Sequence, residues 1–539
     1  MMNAMAQRVP GWQATSEADL DQVIIDLIAA DADELSDLQD RTLNEAWFIR
    51  ARKRVSLARH ARLMDYHIHQ GNQAGTFLAV IVQVDTILPA GFAAWTGAQW
   101  NYADAQLFVS TQTRQCSSVL NQLNLYTWGG VISALEAGSY TADVVPETGT
   151  LTELRDRLRD NDITHLLIEE KLNPATATVN GRDKTARQRV QLISGDDVAR
   201  IRTDPITGDS YVRIQWRKED KLTRRYCFIT QCDDQPAIEG VSAFHGNLIP
   251  VTHGRPYLTR FRAPGSELAP INSTSLIHVE EAHYETTPQG TLCRLPDTLL
   301  AYQDTPPGGL LAPRTTLTVN VSGFSSPWQE RIDFIDSESD DLHYIVETDE
   351  YDVSRIRFGN NINGRALPDD ALVSCQYQVS RGSMGNIGAD TITGYDNSVA
   401  GFPNVERIWN PLDITNGRDP ETRAEILRRV PQAYRARQLR AITLEDYAQR
   451  AEEIEAVAHA RAHYVWTGSW RSVRIAIDPT DTTVLSSPLR QQIADHLDAV
   501  RLIGEDLEIR VAQFVPLDIE LALCAHPDFW LQDLDFELM

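Results

Sequence analysis

Apolar residues near the N-terminus recur at the spacing of one helical face. Ser16, with Asp19 three residues later, supplies the residue types of a helix N-cap. The pattern predicts an amphipathic helix that begins here, within a helical N-terminal region over 1–70. The positions that share the 3.6-residue period are Leu20, Val23, Ile24, Leu27 and Ile28.

The period changes to that of β-strands after this region. Residues 76–88 form an apolar, strand-like stretch that ends at the turn residues 89–91, and another strong turn signal lies at 204–208. Short apolar segments recur between polar turns through the middle of the chain. We therefore predict two β-rich domains, over 71–235 and 236–400.

The last quarter of the chain mixes both patterns. Asp419 followed by Pro420 has the residue types of an N-cap and a first helical position, and Thr443 with Asp446 has those of another helix start. These two signals predict a helical connector over 401–456.

A strand, a helix and two further strands are expected after the connector. This order is the skeleton of a compact α+β domain, which we predict to be ferredoxin-like over 457–539. The fold class is therefore α+β with several domains. The expected elements are a strand at 473–477, a helix that Ser487 and Pro488 open and Gly504 ends, and strands at 507–511 and 517–521.

Composition agrees with a folded, multidomain protein and adds a strong negative charge. The 539 residues are 42% hydrophobic and 23% charged, close to the values of globular proteins. Seventy-five acidic residues against 50 Lys and Arg give a net charge of −25. Such a field repels phosphate backbones, so we expect no nucleic-acid partner.

The charges are distributed in blocks. Residues 17–40 contain nine acidic residues and no Lys or Arg, whereas 41–62 contain seven Lys and Arg and one acid. Neighbouring blocks of opposite sign can pair within a helical hairpin or with partner subunits. Residues 330–352 hold ten acids, but their spacing lacks the loop glycine and terminal Glu of an EF-hand, so we expect no calcium site.

Candidate chemistry is sparse. The motifs GxxxxGK[ST], GxGxxG, HExxH and GxSxG do not occur, and Cys227 with Cys232 is the one close pair among six cysteines. We therefore expect reduced cysteines, no catalytic residue, no cofactor and no metal site. Paired carboxylates for glycoside hydrolysis stay open, because their separation is spatial. The histidine pairs that lack a third ligand at a recognisable spacing are His67 with His69 and His459 with His463.

No targeting signal is evident in the sequence. The first 13 residues lack an apolar core, and the longest apolar run, 77–82, is far shorter than the ~20 residues that span a bilayer. We expect neither a secretion signal nor direct membrane insertion.

Two motifs of backbone-shaping residues stand out in the second β-rich domain. RFGNNINGR at 357–365 and YQVSRGSMGNI at 377–387 place Gly and Asn where tight or left-handed backbone is needed between strands. The residues that we expect to be structural here are Gly359, Asn363, Gly364, Gly382, Gly385 and Asn386.

A second series of motifs follows in the last quarter. It comprises NGRDPET at 416–422, RAITLEDY at 440–447 and VWTGSW at 465–470. We expect Gly468, between two tryptophans, to lie in a turn that does not tolerate a Cβ, so that Gly468→Val lowers the melting temperature. The residues expected to be structural in this series are Gly417, Asp419, Pro420, Trp466, Gly468 and Trp470.

With these motifs the chain resembles the baseplate J-like wedge proteins of contractile tails and contractile injection systems. The family pattern FGDG.NG followed by YR.G.G..GN resembles 358–364 and 377–386, although Asn360 and Asn361 replace an acidic residue and a glycine. The patterns GG.DPE, RAVT.EDY and W.GSW resemble 417–421, 440–447 and 466–470. Family members commonly continue past the strand that corresponds to 517–524, so we expect the last domain to be abbreviated or completed by a neighbour.

The resemblance implies a mechanical function without enzymatic activity. Such proteins are baseplate wedges with six-fold symmetry, which link a central spike hub to the sheath and peripheral parts and take part in the contraction trigger. The implied partners are a second baseplate J-like subunit (a copy or a paralogue), spike or hub proteins, a small adaptor with a lysozyme-like fold, and sheath proteins. Assembly is implied in the bacterial cytoplasm, in a tail-like particle that is released by lysis or anchored through other components.

One basic segment is a candidate contact between subunits. Residues 418–440 contain seven Arg and three acids, and complementary charge sets docking register. Reversing Arg428 and Arg429 to Glu is expected to weaken ring assembly and to leave the monomer folded. The candidate interface residues are Arg428, Arg429, Arg435, Arg437 and Arg440.

Two alternatives from other functional classes stay open. A tail-associated enzyme that degrades cell wall would need a cleft with paired carboxylates, and a zymogram on purified peptidoglycan would reveal it. A receptor-binding adhesin would more often be a repetitive, trimeric β-protein.

Overall fold

The chain divides into two compact units, Met1–Ala433 and Tyr434–Met539. The domain boundaries expected from the sequence within these units stay predictions. The computed structural model describes residues 2–13, 16, 19–160, 163–231, 237–272, 275–288, 290–305, 311–397, 404–436, 440–454, 456–480, 482–515 and 518.

Helices open the first unit and recur at its end. The predicted N-terminal helix is confirmed, but its N-cap is Asp19 and not Ser16. The Ser16 backbone N–H donates to the Asp19 carboxylate at 3.0 Å, which places Ser16 before the helix. The helices that begin in this unit are α1 (Met2–Arg8), α2 (Leu20–Glu45), α3 (Arg54–Arg62), α4 (Leu151–Arg159) and α5 (Arg423–Ala436).

Helix α5 begins later than the sequence indicated. The expected start at Asp419 and Pro420 is wrong, because the first helical residue is Arg423. Thr422 and Glu425 cap the helix reciprocally: the Glu425 N–H donates to the Thr422 hydroxyl at 3.3 Å, and the Thr422 N–H donates to the Glu425 carboxylate at 2.9 Å.

The β-rich body contains two large sheets of six and seven strands. The strand predicted at 76–88 is split in two, because β1 ends at Val82 and a short strand resumes at Thr86. The six-stranded sheet has the order β27 (Ile392–Tyr395), β3 (Ala93–Thr96), β4 (Leu107–Ser110), β17 (Leu248–His253), β1 (Gly75–Val82), β28 (Val405–Trp409). The seven-stranded sheet has the order β10 (Arg187–Gln191), β9 (His165–Glu170), β16 (Ser242–His245), β6 (Leu123–Leu125), β8 (Thr141–Pro146), β12 (Ser210–Gln215), β11 (Ala199–Thr203).

Short ribbons flank these sheets. They are β2 (Thr86–Leu88) with β5 (Arg114–Cys116), β7 (Ala134–Leu135) with β13 (Tyr226–Cys227), and β14 (Ile229–Thr230) with β15 (Ile238–Glu239).

A β-sandwich of two further sheets completes the first unit. Phe261 and Val373 from one sheet share a buried core with Cys293 and Phe358 from the other, because alternate side chains of each strand point inward. One sheet has the order β19 (His278–His283), β18 (Arg255–Arg262), β26 (Val373–Val379), β22 (Thr318–Val321). The other has the order β20 (Glu285–Thr287), β21 (Gly290–Thr298), β25 (Val353–Phe358), β24 (His343–Thr348), β23 (Gln329–Arg331).

The second unit is an α+β fold, as predicted. Helices α6 (Leu444–Glu452) and α7 (Ser487–Asp498) share a core with a sheet of the order β29 (Val457–Trp466), β30 (Arg471–Pro479), β31 (Asp506–Val511). β29 and β30 form an antiparallel hairpin, and α7 connects β30 to its parallel neighbour β31. The further strand predicted at 517–521 lies outside the described residues except for Asp518, so the ferredoxin-like detail stays a proposal.

The sequence signals for the helices of this unit predict most helix ends correctly. Thr443 and Asp446 form a complete capping box at the start of α6. Helix α7, however, ends at Asp498 with Ala499 as its C-cap, so the expectation that Gly504 ends it is wrong. Gly504 instead adopts a left-handed φ of 92° in the turn before β31.

Within the described part of the chain, no helix is both long and apolar enough to cross a membrane. The four described cysteines are free, namely Cys116, Cys227, Cys293 and Cys375.

Candidate functional site

The two motif series meet at one place in the first unit. The turn at 382–386 that follows β26 packs against 416–420 and against 71–75, the segment that leads into β1. Asn72 and Arg418 pair through their backbones: the Asn72 N–H donates to the Arg418 carbonyl at 2.9 Å, and the Arg418 N–H donates back at 3.1 Å. We call these three segments the glycine-asparagine junction.

Glycine is required at the centre of the junction. A Cβ on Gly382 would overlap the Arg418 carbonyl and would lie 2.8 Å from the Asn72 carbonyl oxygen. Both neighbours are backbone atoms in a paired bridge, so neither can move aside cheaply. Three chain segments therefore approach at a distance that any side chain would prevent.

Two further motif glycines are equally confined. A Cβ on Gly385 would lie 2.6 Å from the His253 ring, and one on Gly417 would lie 2.8 Å from the Asn386 side-chain oxygen. Asn386 occupies the space beside Gly417 and bonds to both of its backbone groups. It accepts from the Gly417 N–H at 2.9 Å and donates to the Gly417 carbonyl at 3.0 Å.

Asp419 binds the same junction from the side. Its carboxylate accepts the Ser383 N–H at 3.1 Å and the Ser383 hydroxyl at 2.8 Å. This long-range use of the side chain is the physical reason that Asp419 does not cap α5. Pro420 also lies in the junction, where its ring lies 3.2 Å from the position of a Cβ on Gly71.

A buried carboxylate fastens the N-terminal region beside the junction. Glu421 accepts the Tyr66 hydroxyl at 2.7 Å and the His69 N–H at 3.0 Å, and it pairs with Arg429 at 2.5 Å. Burial and the Glu421 carboxylate raise the pKa of Tyr66 to about 12. The Arg54 guanidinium donates to the Glu421 carbonyl at 2.7 Å, so α3 and the start of α5 are tied together.

The candidate interface arginines lie in different surroundings. Arg429 is engaged within the chain by the buried Glu421, whereas the neighbouring Arg428 is exposed on α5. Arg435 lies on α5 and Arg440 is exposed, while Arg437 lies outside the described residues. A role for this segment at a subunit contact stays a prediction.

The RFGNNINGR motif forms the loop after β25. A Cβ on Gly359 would lie 2.6 Å from the Asn363 carbonyl oxygen, and Asn361 and Gly364 adopt left-handed φ values of 64° and 76°. The Gly364 N–H donates to the Glu338 carbonyl at 3.0 Å. The loop is thus folded tightly upon itself and bonded to the acidic stretch of the sandwich.

The VWTGSW motif forms the tip of the β29–β30 hairpin in the second unit. Trp466 and Trp470 are 69% and 61% exposed, and the Thr467 N–H donates to the Trp470 carbonyl at 3.1 Å. Gly468 has a left-handed φ of 102° with no heavy atom within 4 Å of a Cβ position. A side chain at Gly468 would therefore be strained by its backbone conformation and not by a clash.

Helix α2 exposes an apolar stripe. Among its 26 residues, Gln22 and Ile25 are buried against the described part of the chain. Ile24, Ile28, Leu35 and Leu38 recur at the a and d spacing of a heptad, in which Asp31 takes the remaining position. The exposed apolar side chains of α2 are Leu20, Val23, Ile24, Leu27, Ile28, Leu35, Leu38 and Leu43.

The structure joins some of the motif residues and keeps others separate. GSMGN and NGRDPE meet at the junction, while RFGNNINGR forms its own loop and VWTGSW belongs to the second unit. Sequence reasoning missed the segment 71–75 and the carboxylate of Glu421. The glycines at both ends of 71–75 are the signal that could have pointed to that segment.

Family comparisons match the two ends of the described chain. Residues 1–63, which contain α1 to α3, match the family "Bacteriophage baseplate protein, N-terminal domain". Residues 439–510, which contain α6 to most of β31, match the family "Baseplate J-like central domain". No curated protein matches the sequence.

Two solved baseplate structures align over most of the chain, but weakly. A chain of the type VI secretion system TssK-TssF-TssG baseplate subcomplex is 10% identical, with 94% of this chain and 100% of that chain covered and a TM-score of 0.32. A chain of the anti-feeding prophage (AFP) baseplate is 9% identical, with 94% and 70% covered and a TM-score of 0.23. Both TM-scores lie below 0.5.

Two of the five motifs fall within a family match, whereas those at 357–365, 377–387 and 416–422 lie outside both matches. The RAITLEDY and VWTGSW motifs lie within 439–510, and the exposed helix α2 lies within 1–63. The resemblance to baseplate proteins is therefore confirmed: two segments of this chain, one near its N-terminus and one toward its C-terminus, are similar to two baseplate protein families.

Proposed function

We propose that this chain is a structural subunit of the baseplate of a contractile injection system or phage tail, and that it acts there as a wedge component. The observation that carries the proposal is the apolar stripe of α2, which lies within the baseplate N-terminal match. An exposed stripe along a helix of 26 residues is typical of a surface that another helix covers.

The occupant that fits α2 is a helix of another baseplate subunit, a copy or a paralogue. The heptad spacing of Ile24, Ile28, Leu35 and Leu38 suits a coiled-coil contact. The acidic block at 17–40 favours a basic helix as its partner, because an identical helix alongside would bring like charges together. The exposed Arg50, Arg52 and Lys53 of a second copy form one surface of suitable charge. In the same basic block, Arg54, Arg59 and Arg62 are bonded within the chain.

We propose a wider role on the strength of the resemblance to baseplate J-like wedge proteins. The chain links the spike hub to the sheath and to peripheral parts, contacts a small adaptor with a lysozyme-like fold, and takes part in the contraction trigger without enzymatic activity. It is assembled in the bacterial cytoplasm as part of a tail-like particle. Residues 418–440 contribute a further contact through the exposed Arg428.

Substitutions on α2 test the proposal. A tagged chain is expressed with its neighbouring genes, and Ile28→Asp combined with Leu35→Asp is compared with Ile335→Asp combined with Ile362→Asp, an exposed apolar pair in two loops. We expect both variants to keep the wild-type melting temperature, and the α2 variant alone to lose the co-purifying baseplate subunits.

Two outcomes would contradict the proposal. Unchanged co-purification of the α2 variant would show that the stripe is not a subunit contact. Hydrolysis of purified peptidoglycan by the wild-type chain would favour the cell-wall-degrading enzyme instead.

A further inference from the structure

A group of three titratable side chains lies at one end of the β-sandwich. His278 and Glu280 are two residues apart on β19 and therefore point to the same face of their sheet. Asp297 lies on β21 of the other sheet. One candidate ligand atom from each residue lies within 4.8 Å of the other two, and the His278 and Glu280 side chains are 3.1 Å apart.

Each member of this cluster carries a buried polar atom with no hydrogen-bond partner among the described residues. These atoms are His278 Nδ1, Glu280 Oε1 and Asp297 Oδ2, and Glu280 as a residue is only 8% exposed. Unpaired buried polar atoms are rare in native proteins because each costs free energy. Three clustered residues that each hold such an atom point to a ligand that they can bind together.

The charge of the cluster favours a cation. Two acidic side chains, Glu280 and Asp297, face one imidazole in a buried setting. Burial raises the pKa of Asp297, although His278 and Arg255 act in the opposite direction. Arg255, the nearby cation, is itself hydrogen-bonded, because its guanidinium donates to the Leu276 carbonyl at 3.3 Å.

We propose that His278, Glu280 and Asp297 bind one divalent transition-metal cation of the zinc type. An imidazole nitrogen with carboxylate oxygens is a donor set that zinc accepts in proteins. Bonds of about 2.0–2.2 Å in a tetrahedral arrangement hold the ligand atoms about 3.4 Å apart, so separations of at most 4.8 Å need only small side-chain adjustments. Water would take the fourth position.

The cation would act as a clip between the two sheets of the sandwich. β19 is an edge strand of the four-stranded sheet, and β21 belongs to the five-stranded sheet. The Tyr257 side chain of β18 packs beside the cluster, with its ring centroid 4.6 Å from that of the His278 ring. Metal binding would therefore add stability to a fold that already exists, and it does not depend on baseplate assembly.

Zinc binding to the full chain tests the proposal. The protein is stripped with EDTA, dialysed and titrated with Zn²⁺ by isothermal titration calorimetry, with the visible absorption of Co²⁺ as a second readout. We expect one equivalent to bind and the melting temperature to rise. Asp297→Asn and Glu280→Gln should each lower the affinity by about tenfold or more.

His283→Gln is the matched control. His283 lies on the same strand, is exposed and contacts the Ser266 carbonyl, so its replacement should leave zinc binding unchanged. A wild-type chain that binds well under one equivalent of Zn²⁺ would overturn the proposal without any variant. Equal affinity in the wild type, Asp297→Asn, Glu280→Gln and His283→Gln would overturn it as well, because the ion would then bind elsewhere.

Discussion

The glycine-asparagine junction and helix α2 differ in how their side chains are packed within one compact unit. At the junction, three backbone segments meet so closely that Gly382 has no room for a Cβ, and the polar side chains of Asn386 and Asp419 are bonded to their neighbours. Along α2, apolar side chains such as Leu27, which is 62% exposed, have little to pack against. The junction makes its contacts within the chain, whereas the exposed apolar side chains of α2 favour contact with another subunit.

This difference separates residues that maintain the fold from residues that serve assembly. A substitution at the junction should lower the free energy of unfolding, and one on α2 should lower assembly with little effect on the fold. Both regions can therefore be tested in the same purified protein by two independent readouts.

The largest effect on stability is expected from Gly382→Ala. Its Cβ would overlap the Arg418 carbonyl and separate the paired backbones, which should cost about 3–5 kcal/mol of unfolding free energy. Urea denaturation followed by circular dichroism measures this cost. Gly388→Ala is the matched control, since the nearest atom to its Cβ position is 3.9 Å away. Equal stability of the two variants would show that the close backbone approach at Gly382 does not stabilise the fold.

A pH-dependent loss of stability is expected from His253, which packs beside Gly385. Burial lowers the pKa of His253 from 6.5 to about 4, while its ring nitrogens contact Ser380 and Gln106 at 2.6 and 2.8 Å. As the pH falls below 6.5, the unfolded chain takes up the proton first, so stability falls by up to about 1.4 kcal/mol per pH unit until the folded-state pKa is reached.

The variant His253→Gln isolates this contribution. Its unfolding free energy should lie below that of the wild type at pH 7 and approach it as the pH falls to 4. A constant difference between the two proteins across pH 4 to 7 would contradict the role assigned to burial.

Charge reversal at two adjacent residues of α5 should separate an effect on the stability of the fold from an effect on assembly. Arg429→Glu places a like charge beside Glu421, which is 5% exposed, and should cost about 1–2 kcal/mol because Arg429 itself is 42% exposed to solvent. Arg428→Glu should leave the unfolding free energy within about 0.5 kcal/mol of the wild type and weaken assembly. Denaturation measures the effect on stability, and co-purification measures the effect on assembly. An Arg428→Glu protein that assembles normally would show that Arg428 makes no subunit contact.

A loss of stability that comes from backbone strain alone is expected at the hairpin tip of the second unit. Gly468→Val forces a β-branched residue into a left-handed conformation in open space, which should cost about 1–2 kcal/mol without any clash. Thermal melting measures it. Gly468→Asn should cost less, since Asn tolerates left-handed backbone better, and wild-type melting of both variants would show that the turn adapts.

The sequence predicted the elements whose signals are local. The period of Leu20 to Ile28 indicated α2, and Thr443 with Asp446 indicated α6 through a capping box that the structure contains. The α+β class of the second unit could also be predicted from such local patterns. Such signals lie within a few residues of each other, so they can be recognised before the fold is known.

Long-range use of a side chain is what the sequence could not reveal. Asp419 looks like a helix cap, but its carboxylate bonds to Ser383, which is 36 residues away. The pairing of Asn72 with Arg418 left no pattern in the sequence. The cluster of His278, Glu280 and Asp297 was missed for the same reason, because Asp297 joins it from another sheet.

Electron cryo-microscopy of particles that co-purify with the tagged chain would show directly what covers helix α2. We predict a ring-shaped baseplate that contains this chain, with the apolar stripe of α2 covered by a helix of another subunit and with the junction at 71–75, 382–386 and 416–420 unchanged. A particle in which α2 remains exposed to solvent, or a chain that stays monomeric beside the products of its neighbouring genes, would contradict it.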